Sequence, residues 1–239
     1  NNTVSSVYSN SSNDTLFYQP KLYALTPDGC IDSTTSQVAV FKKVEASFSV
    51  PSPACHPYDA LFTDLSANAT DWSLDFDNTF TSNQQNPQIF FLNPTAAPQT
   101  FDVELTVNSL EGCLDDTIVQ LVINPKPIAD FDIDDSPACH GEDIVLTNNS
   151  TQNDVNTWRF GSNGPFVVNN NPVVDTSFLN FNQNPIQFPI QLFVDNIYGC
   201  SDTIERQMQV FPFVEAQFAA VDEGYSPFEV EFKSKLNEV

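Results

Sequence analysis

The chain has 239 residues, 41% of them apolar, which is room for two or three domains with real cores. Its 8 Lys+Arg against 31 Asp+Glu give a formal charge of −23, a field that repels nucleic-acid phosphates and anionic lipid and sets a nucleic-acid role aside. No apolar run reaches the roughly eighteen residues a membrane-crossing helix needs, so no direct membrane insertion is expected.

The opening "NNTVSSVYSNSSNDT" has neither the basic start nor the apolar core of a signal peptide. With Met208 as its only Met, the chain reads as an internal piece of something longer. From Tyr18, alternate positions run Tyr18, Pro20, Leu22, Ala24, a weak strand pattern. A turn with Gly29-Cys30 and a second strand with Val38 and Val40 complete a hairpin. Phe48 opens a new segment, "SPACHPYDALFTDL", followed by Trp72 in "TDWSLDF".

The order then returns. Phe101, Val103, Leu105, Val107, then Gly112-Cys113, then Leu121 and Ile123 form a second hairpin, and Phe131 opens "SPACHGEDIVLTNNS" with Trp158 beyond it. Phe188, Ile190, Leu192, Val194, Gly199-Cys200, Met208 and Val210 form a third, after which Phe218 and "EGYSPFEVEF" begin again. The Gly-Cys period is 113 − 30 = 83 and then 200 − 113 = 87. Short strands split by Pro, Asn and Gly in units of that length predict an all-β chain of tandem immunoglobulin-like sandwiches, about seven strands each, with both Trp rings in the core of the central strand rather than forming a sugar platform.

The expected domains are 1–41, the closing half of a repeat; 42–125 and 126–212, complete repeats; and 213–239, the start of a further one. The connectors "VFKKV", "NPKPI" and "VFPFV" are short and two carry proline, which predicts a rod.

The string "TFDVELTVNSLEGCLDDT" resembles the closing strands of PKD (polycystic kidney disease) repeats, and "SPACHGEDIVLTNNS" their opening strands. In its Gly-Cys form the chain is similar to the PKD-like repeats of giant SprB-type gliding adhesins on Bacteroidetes-type bacteria. "WSLDFDN" and "WRFGSNG" depart from the family's Trp-Asp-Phe-Gly-Asp-Gly. The resemblance implies a non-catalytic stalk on the outside of the cell, exported by the type IX route and serving gliding motility or surface attachment. Its partners would be neighbouring repeats, and surface glycans or another cell-surface protein. The alternative is a carbohydrate-binding spacer of a secreted polysaccharide-degrading enzyme, for which Phe90, Phe91, Phe178 and Phe181 are the candidate rings.

Five cysteines in register with a repeat suit disulfides in an oxidising compartment. In an immunoglobulin-like topology the turns holding Cys55 and Cys113 lie at opposite ends, about 23 Å apart for a strand of about seven residues. A disulfide needs Cα atoms within about 7 Å. The expected bond is therefore Cys55 to Cys200, across the joint between repeats, with Cys30 and Cys113 partnered upstream and Cys139 downstream. Tyr225 replaces the cysteine in the fourth copy.

His56 and His140 each follow a cysteine, and neighbours on an extended segment point opposite ways, which makes Cys-His a poor metal chelate. No P-loop, Gly-x-Ser-x-Gly or His-Glu-x-x-His is present, so no catalytic residue, cofactor or resident metal is assigned. Calcium is the one ion considered, with Asp75, Asp77, Asp130, Asp132, Asp134 and Asp135 as carboxylates, although Asp130, Asp132 and Asp134 alternate as any solvated strand face does. Asp14-Thr15-Leu16, Asp32-Ser33-Thr34, Asp116-Thr117-Ile118 and Asp202-Thr203-Ile204 resemble bacterial O-glycosylation sequences, and strand geometry after the Gly-Cys turn accounts for three of them equally well.

Overall fold

The structure, a computed structural model, describes residues 3–134, 136–219, 226 and 233–238. Asp135 and Tyr225 lie outside the described residues. The described elements are all β, and the chain divides into two compact units, Asn1–Asn124 and Pro125–Val239.

The first unit opens with β1 (Leu16–Tyr18), β2 (Lys21–Leu25), β3 (Ile31–Thr35) and β4 (Val38–Val40), in which β2 pairs with β3 and β1 with β4. This is the first expected hairpin, interrupted where Pro20 has no N–H to give the ladder; its carbonyl accepts from Ser36 N–H at 3.1 Å.

Next come β5 (Phe48–Ser49), β6 (Ala54–Cys55), β7 (Tyr58–Leu61), β8 (Thr63–Asp64), β9 (Asp71–Phe76), β10 (Phe80–Ser82), β11 (Gln88–Phe91), β12 (Gln99–Asn108) and β13 (Leu114–Asn124). One layer has the order β10-β9-β12-β13-β6, and the facing layer is built from the pairs β5-β8 and β7-β11. Alternation explains the fit: Val103, Leu105 and Val107 of β12 with Leu121 and Ile123 of β13 turn inward against Phe48, Phe62 and Phe91.

The second unit contains β14 (Phe131–Ile133), β15 (Asp143–Asn148), β16 (Val155–Phe160), β17 (Phe166–Val168), β18 (Val173–Ser177), β19 (Ile186–Asp195) and β20 (Ser201–Val210), followed by the antiparallel pair β21 (Val214–Ala219) and β22 (Lys233–Glu238). The orders β14-β15-β18 and β17-β16-β19-β20 are the two layers of an immunoglobulin-like sandwich of seven strands. Its core gathers Phe131, Ile144, Leu146, Trp158, Ile190, Leu192, Val194 and Met208.

The two tryptophans both stand on the central strand, but at different heights. Trp158 pairs with Leu192 and is fully buried, whereas the residue that meets the corresponding Leu105 is Leu74. Trp72 pairs with Val107, where the second unit has Asn156 opposite Val194, and it is half-buried against the core. The offset between copies is 156 − 72 = 84 on this strand and 194 − 107 = 87 on the next. The three additional residues of the second unit therefore fall between these strands, in surface connections where length is free to vary.

Candidate functional site

Three groups of polar contacts recur at the ends of the strand layers, and they include every turn that carries a cysteine. The first is the Gly-Cys turn. Thr26 N–H donates to Cys30 O, Ser109 N–H to Cys113 O and Asn196 N–H to Cys200 O, at 3.0, 2.9 and 3.0 Å. Gly29, Gly112 and Gly199 close these turns at φ of +90°, +85° and +78°, which a side chain resists. In each turn the Cys N–H donates to the side-chain oxygen four residues earlier: Thr26 Oγ1, Ser109 Oγ and Asn196 Oδ1. Asn196 Nδ2 also donates to Pro125 O at 2.9 Å, fixing the first residue of the second unit to this turn.

The second group is an asparagine at the opposite end. Asn180, fully buried, donates Nδ2 to Val210 O at 2.8 Å and to Asn184 O at 2.9 Å, while its Oδ1 accepts from Asn182 N–H. Asn93 repeats this with Ile123 O, Ala97 O and Thr95 N–H, and Asn10 with Val40 O, Asp14 O and Ser12 N–H. Each one locks a loop to a carbonyl at the end of a copy's last strand. The two histidines belong here: His56 Nδ1 accepts from Asn93 N–H and His140 Nδ1 from Asn180 N–H, both at 2.9 Å. They orient the asparagine loop, which accounts for their place in the repeat without a metal.

The third group ties down the start of each sandwich. Asp115 Oδ2 accepts from Ala46 N–H at 2.8 Å, and Asp202 Oδ2 from Ala129 N–H at 3.0 Å. Asp202 also meets Lys126 Nζ at 2.7 Å. Burial acts to raise the Asp202 carboxyl, but the Lys126 hydrogen bond, the Ala129 N–H and the Lys126 charge outweigh it and hold the group below the usual carboxylate range. Beside it, Arg206 reaches Asp130 Oδ1 at 2.9 Å and lies over the Phe131 ring. The aspartate of the Asp202-Thr203-Ile204 sequence is thus a structural latch. Thr203 and Ser33 are exposed, and Thr15 and Thr117 half-buried.

Cys55 and Cys200 are disulfide-bonded, and Cys30, Cys113 and Cys139 are free thiols. The within-repeat pairs are therefore absent. In the first unit Cys55 lies opposite Asn124 at the far end of β13, while Cys113 immediately precedes that strand. The strand has 11 residues, longer than expected, and separates them by about 36 Å.

Of the candidate rings, Phe91 and Phe178 are buried, whereas Phe90 and Phe181 are exposed. Phe181 stands edge-on to His140, at 70°. Asp75 and Asp77 line a shallow depression of about 180 Å³ with Asp102 and Glu104. Asp75 is engaged by Asn78 N–H, and Asp132 by Asn149. Among the described residues no three His, Cys, Asp or Glu side chains are grouped to hold a metal ion, and no helix is long and apolar enough to cross a membrane.

The buried asparagines are the functional residues that reading the sequence missed. Their signal is an aromatic-x-Asn string, Phe91-Leu92-Asn93 and Phe178-Leu179-Asn180, repeated as Tyr8-Ser9-Asn10 where the asparagine is half-buried.

No protein-family model and no curated protein matches the chain. Among solved structures it is similar to fibronectin(III)-like modules of Clostridium thermocellum CbhA, at 11% identity and TM-score 0.36 over 70% of this chain and 94% of that one. A Ca²⁺-stabilized adhesin of an Antarctic bacterium is similar at 10% identity and TM-score 0.32, over 85% and 59%. The amphioxus IgVJ-C2 molecule is similar at 17% and 0.26, over 64% and 94%. The immunoglobulin-like assignment made above rests on strand order, not on these likenesses.

Proposed function

We propose that the chain is a non-catalytic, load-bearing stretch of a long extracellular adhesin, built of PKD-like repeats with the boundaries 1–41, 42–125, 126–212 and 213–239. In the gliding bacteria whose adhesins its sequence resembles, such a stalk would be exported by the type IX route and would hold a distal adhesive region off the outer membrane for gliding or attachment. The observation that carries this reading is where the two oxidised cysteines sit. Cys55 lies opposite Asn124, the last residue of one unit, and Cys200 ends the turn whose Asn196 holds Pro125, the first residue of the next. A Cys55–Cys200 bond would span that junction and carry tension past the linker. By the loop-entropy estimate such a bridge is worth about 5 kcal/mol.

Peptide mapping of unreduced protein tests it. The expected product joins the Cys55 and Cys200 peptides; a Cys55–Cys113 peptide overturns both the staple and the stalk built on it. Sequencing outward from both ends separates the roles: further repeats and a sorting domain support the adhesin, and an adjoining catalytic domain supports a spacer in a secreted polysaccharide-degrading enzyme.

A further inference from the structure

β17 is the outermost strand of its layer, in the order β17-β16-β19-β20, and among the described residues it pairs with β16 alone. Its three residues are all apolar and all open to solvent: Phe166 is 60% exposed, Val167 42% and Val168 66%. An exposed edge of that kind is a template for another strand, and proteins ordinarily guard it with lysine, an inward charge or proline. Residues 160–174 carry no charged side chain at all, in a chain whose formal charge is −23. The counterpart edge in the first unit is different. Thr81 of β10 lies opposite Asp75, in the acidic depression shared with Asp77, Asp102 and Glu104, whereas Phe166 lies opposite Arg159, whose guanidinium sits over its ring at 5.2 Å.

The ladder fixes which backbone groups of β17 point outward. Asn169 N–H donates to Asn156 O at 3.0 Å on the β17 side of β16, and Gly161 N–H to Pro189 O at 2.8 Å on the β19 side. Hydrogen bonding alternates along an antiparallel pair, so Val167 exchanges its bonds with Trp158 opposite it, while the N–H and C=O of Phe166 and Val168 face the open side. Pro165 gives that side no protection, because by the same alternation its missing N–H faces β16. Phe166 and Val168 share the outer face with Phe193, whose ring meets Phe166 at 5.4 Å, and Val167 turns to the side of Trp158.

We propose that β17 pairs edge to edge, antiparallel, with β17 of a second copy of this chain, about a two-fold axis at Val167. In that register Phe166 faces Val168 of the second copy and exchanges N–H and C=O bonds with it, so every outward backbone group of the strand is met. Val167 faces Val167 of the second copy across the closely spaced, non-hydrogen-bonded position, on the side of Trp158. On the outer face Phe166 and Val168 form apolar cross-strand pairs beside Phe193. The absence of charge from this edge is what lets two strongly acidic chains approach here. The contact is isologous and closes at two copies, and the two sandwiches it joins run in opposite directions. This inference is independent of the staple and of the adhesin reading.

Only a short strand pairs, so the contact is of the small, weak class, and sedimentation of the oxidised chain from about 10 to 500 µM tests it. Cys30, Cys113 and Cys139 are alkylated beforehand so that no new disulfide links copies. The expected mass rises with concentration from 26.5 kDa toward twice that value and no further. Val168→Pro deletes an outward N–H and leaves the bonds to β16 intact, and the extended Val167 before it accepts a following proline. This variant should keep the wild-type urea midpoint and stay at 26.5 kDa, as should Phe166→Lys, which puts a charge on the edge. In the wild type, amide exchange should slow with concentration at Phe166 and Val168 and not change at Val167. A mass of 26.5 kDa throughout, growth beyond two chains, association of either variant as in the wild type, or concentration-dependent protection confined to other residues would each overturn the proposal.

Discussion

Replacing Asn180 by Ala removes a side chain that is fully buried and makes three hydrogen bonds, two donated to Val210 O and Asn184 O and one accepted from Asn182 N–H. Val210 itself is 1% exposed, so water does not readily replace the lost donor at its carbonyl. An orphaned buried acceptor costs about 1–3 kcal/mol, and the more open partners add less, which puts the loss near 3 kcal/mol. With a urea slope of about 1.5 kcal/mol/M for a unit of this size, the midpoint should fall by about 2 M. Trp158 lies in the core of the second unit, so its emission in a Trp72→Phe background follows that unit alone. A midpoint shift below about 0.5 M would mean that the loop adapts freely, and the asparagine could not then be the lock described here.

Asp202→Asn should cost about 1 kcal/mol at pH 7, a modest figure because Lys126 is 38% exposed. The folded carboxyl is held below its unfolded value, so its contribution is present above the unfolded pKa of about 4 and lost as pH falls through the folded one. The gap between wild type and variant should therefore narrow as pH falls below about 4, and a gap that does not change on acidification would contradict the assignment. Gly199→Ala meets no atom within 4 Å of the new Cβ, leaving only the cost of φ +78°, about 1 kcal/mol in chemical melts. Gly164→Ala drives a Cβ into the Phe160 carbonyl oxygen and should cost at least twice as much; equal losses would refute the distinction. Calcium at millimolar concentration should leave the thermal midpoint unchanged, since Asp75 and Asp132 are already engaged by Asn78 and Asn149 and no three His, Cys, Asp or Glu side chains are placed to hold a metal ion among the described residues.

The hairpins and their core faces were legible because they rest on local alternation. Val103, Leu105 and Val107 point inward for the same reason that any three alternate residues of a half-buried strand do. Trp72 and Trp158 look equivalent in sequence because each is the one Trp of its copy, and a shift of two residues along a strand keeps a ring on the same face. Only the pairing with Val107 and Leu192 separates the two heights. The asparagine locks were hidden for another reason. Their acceptors are backbone carbonyls 30 residues away, and a carbonyl leaves no trace in residue identity. Asp115 and Asp202 were hidden likewise, since their partners are the N–H groups of Ala46 and Ala129.

How the last strand of each sandwich is held bears on what tension does to it. β6 pairs with β13 in parallel, and Ala138 bridges Val210 in parallel, so the beginning and end of each sandwich run side by side in one direction. Pulling on the two ends then slides these segments past each other, and their bonds are loaded together rather than opened one at a time. In the second unit those bonds are Ala138 N–H to Gln209 O at 3.0 Å and Phe211 N–H to Ala138 O at 2.9 Å. Phe211→Pro deletes the second donor at an exposed residue, and the extended Val210 before it accepts a following proline. Its equilibrium cost should be about 1 kcal/mol. Because half of the parallel patch is gone, its effect on unfolding force measured by single-molecule pulling should be larger than that of Gly199→Ala, which costs about the same at equilibrium but lies at the other end of β20. Equal forces for the two variants would show that the parallel patch does not set the mechanical barrier, and load would then have to be carried through the β19–β20 ladder instead.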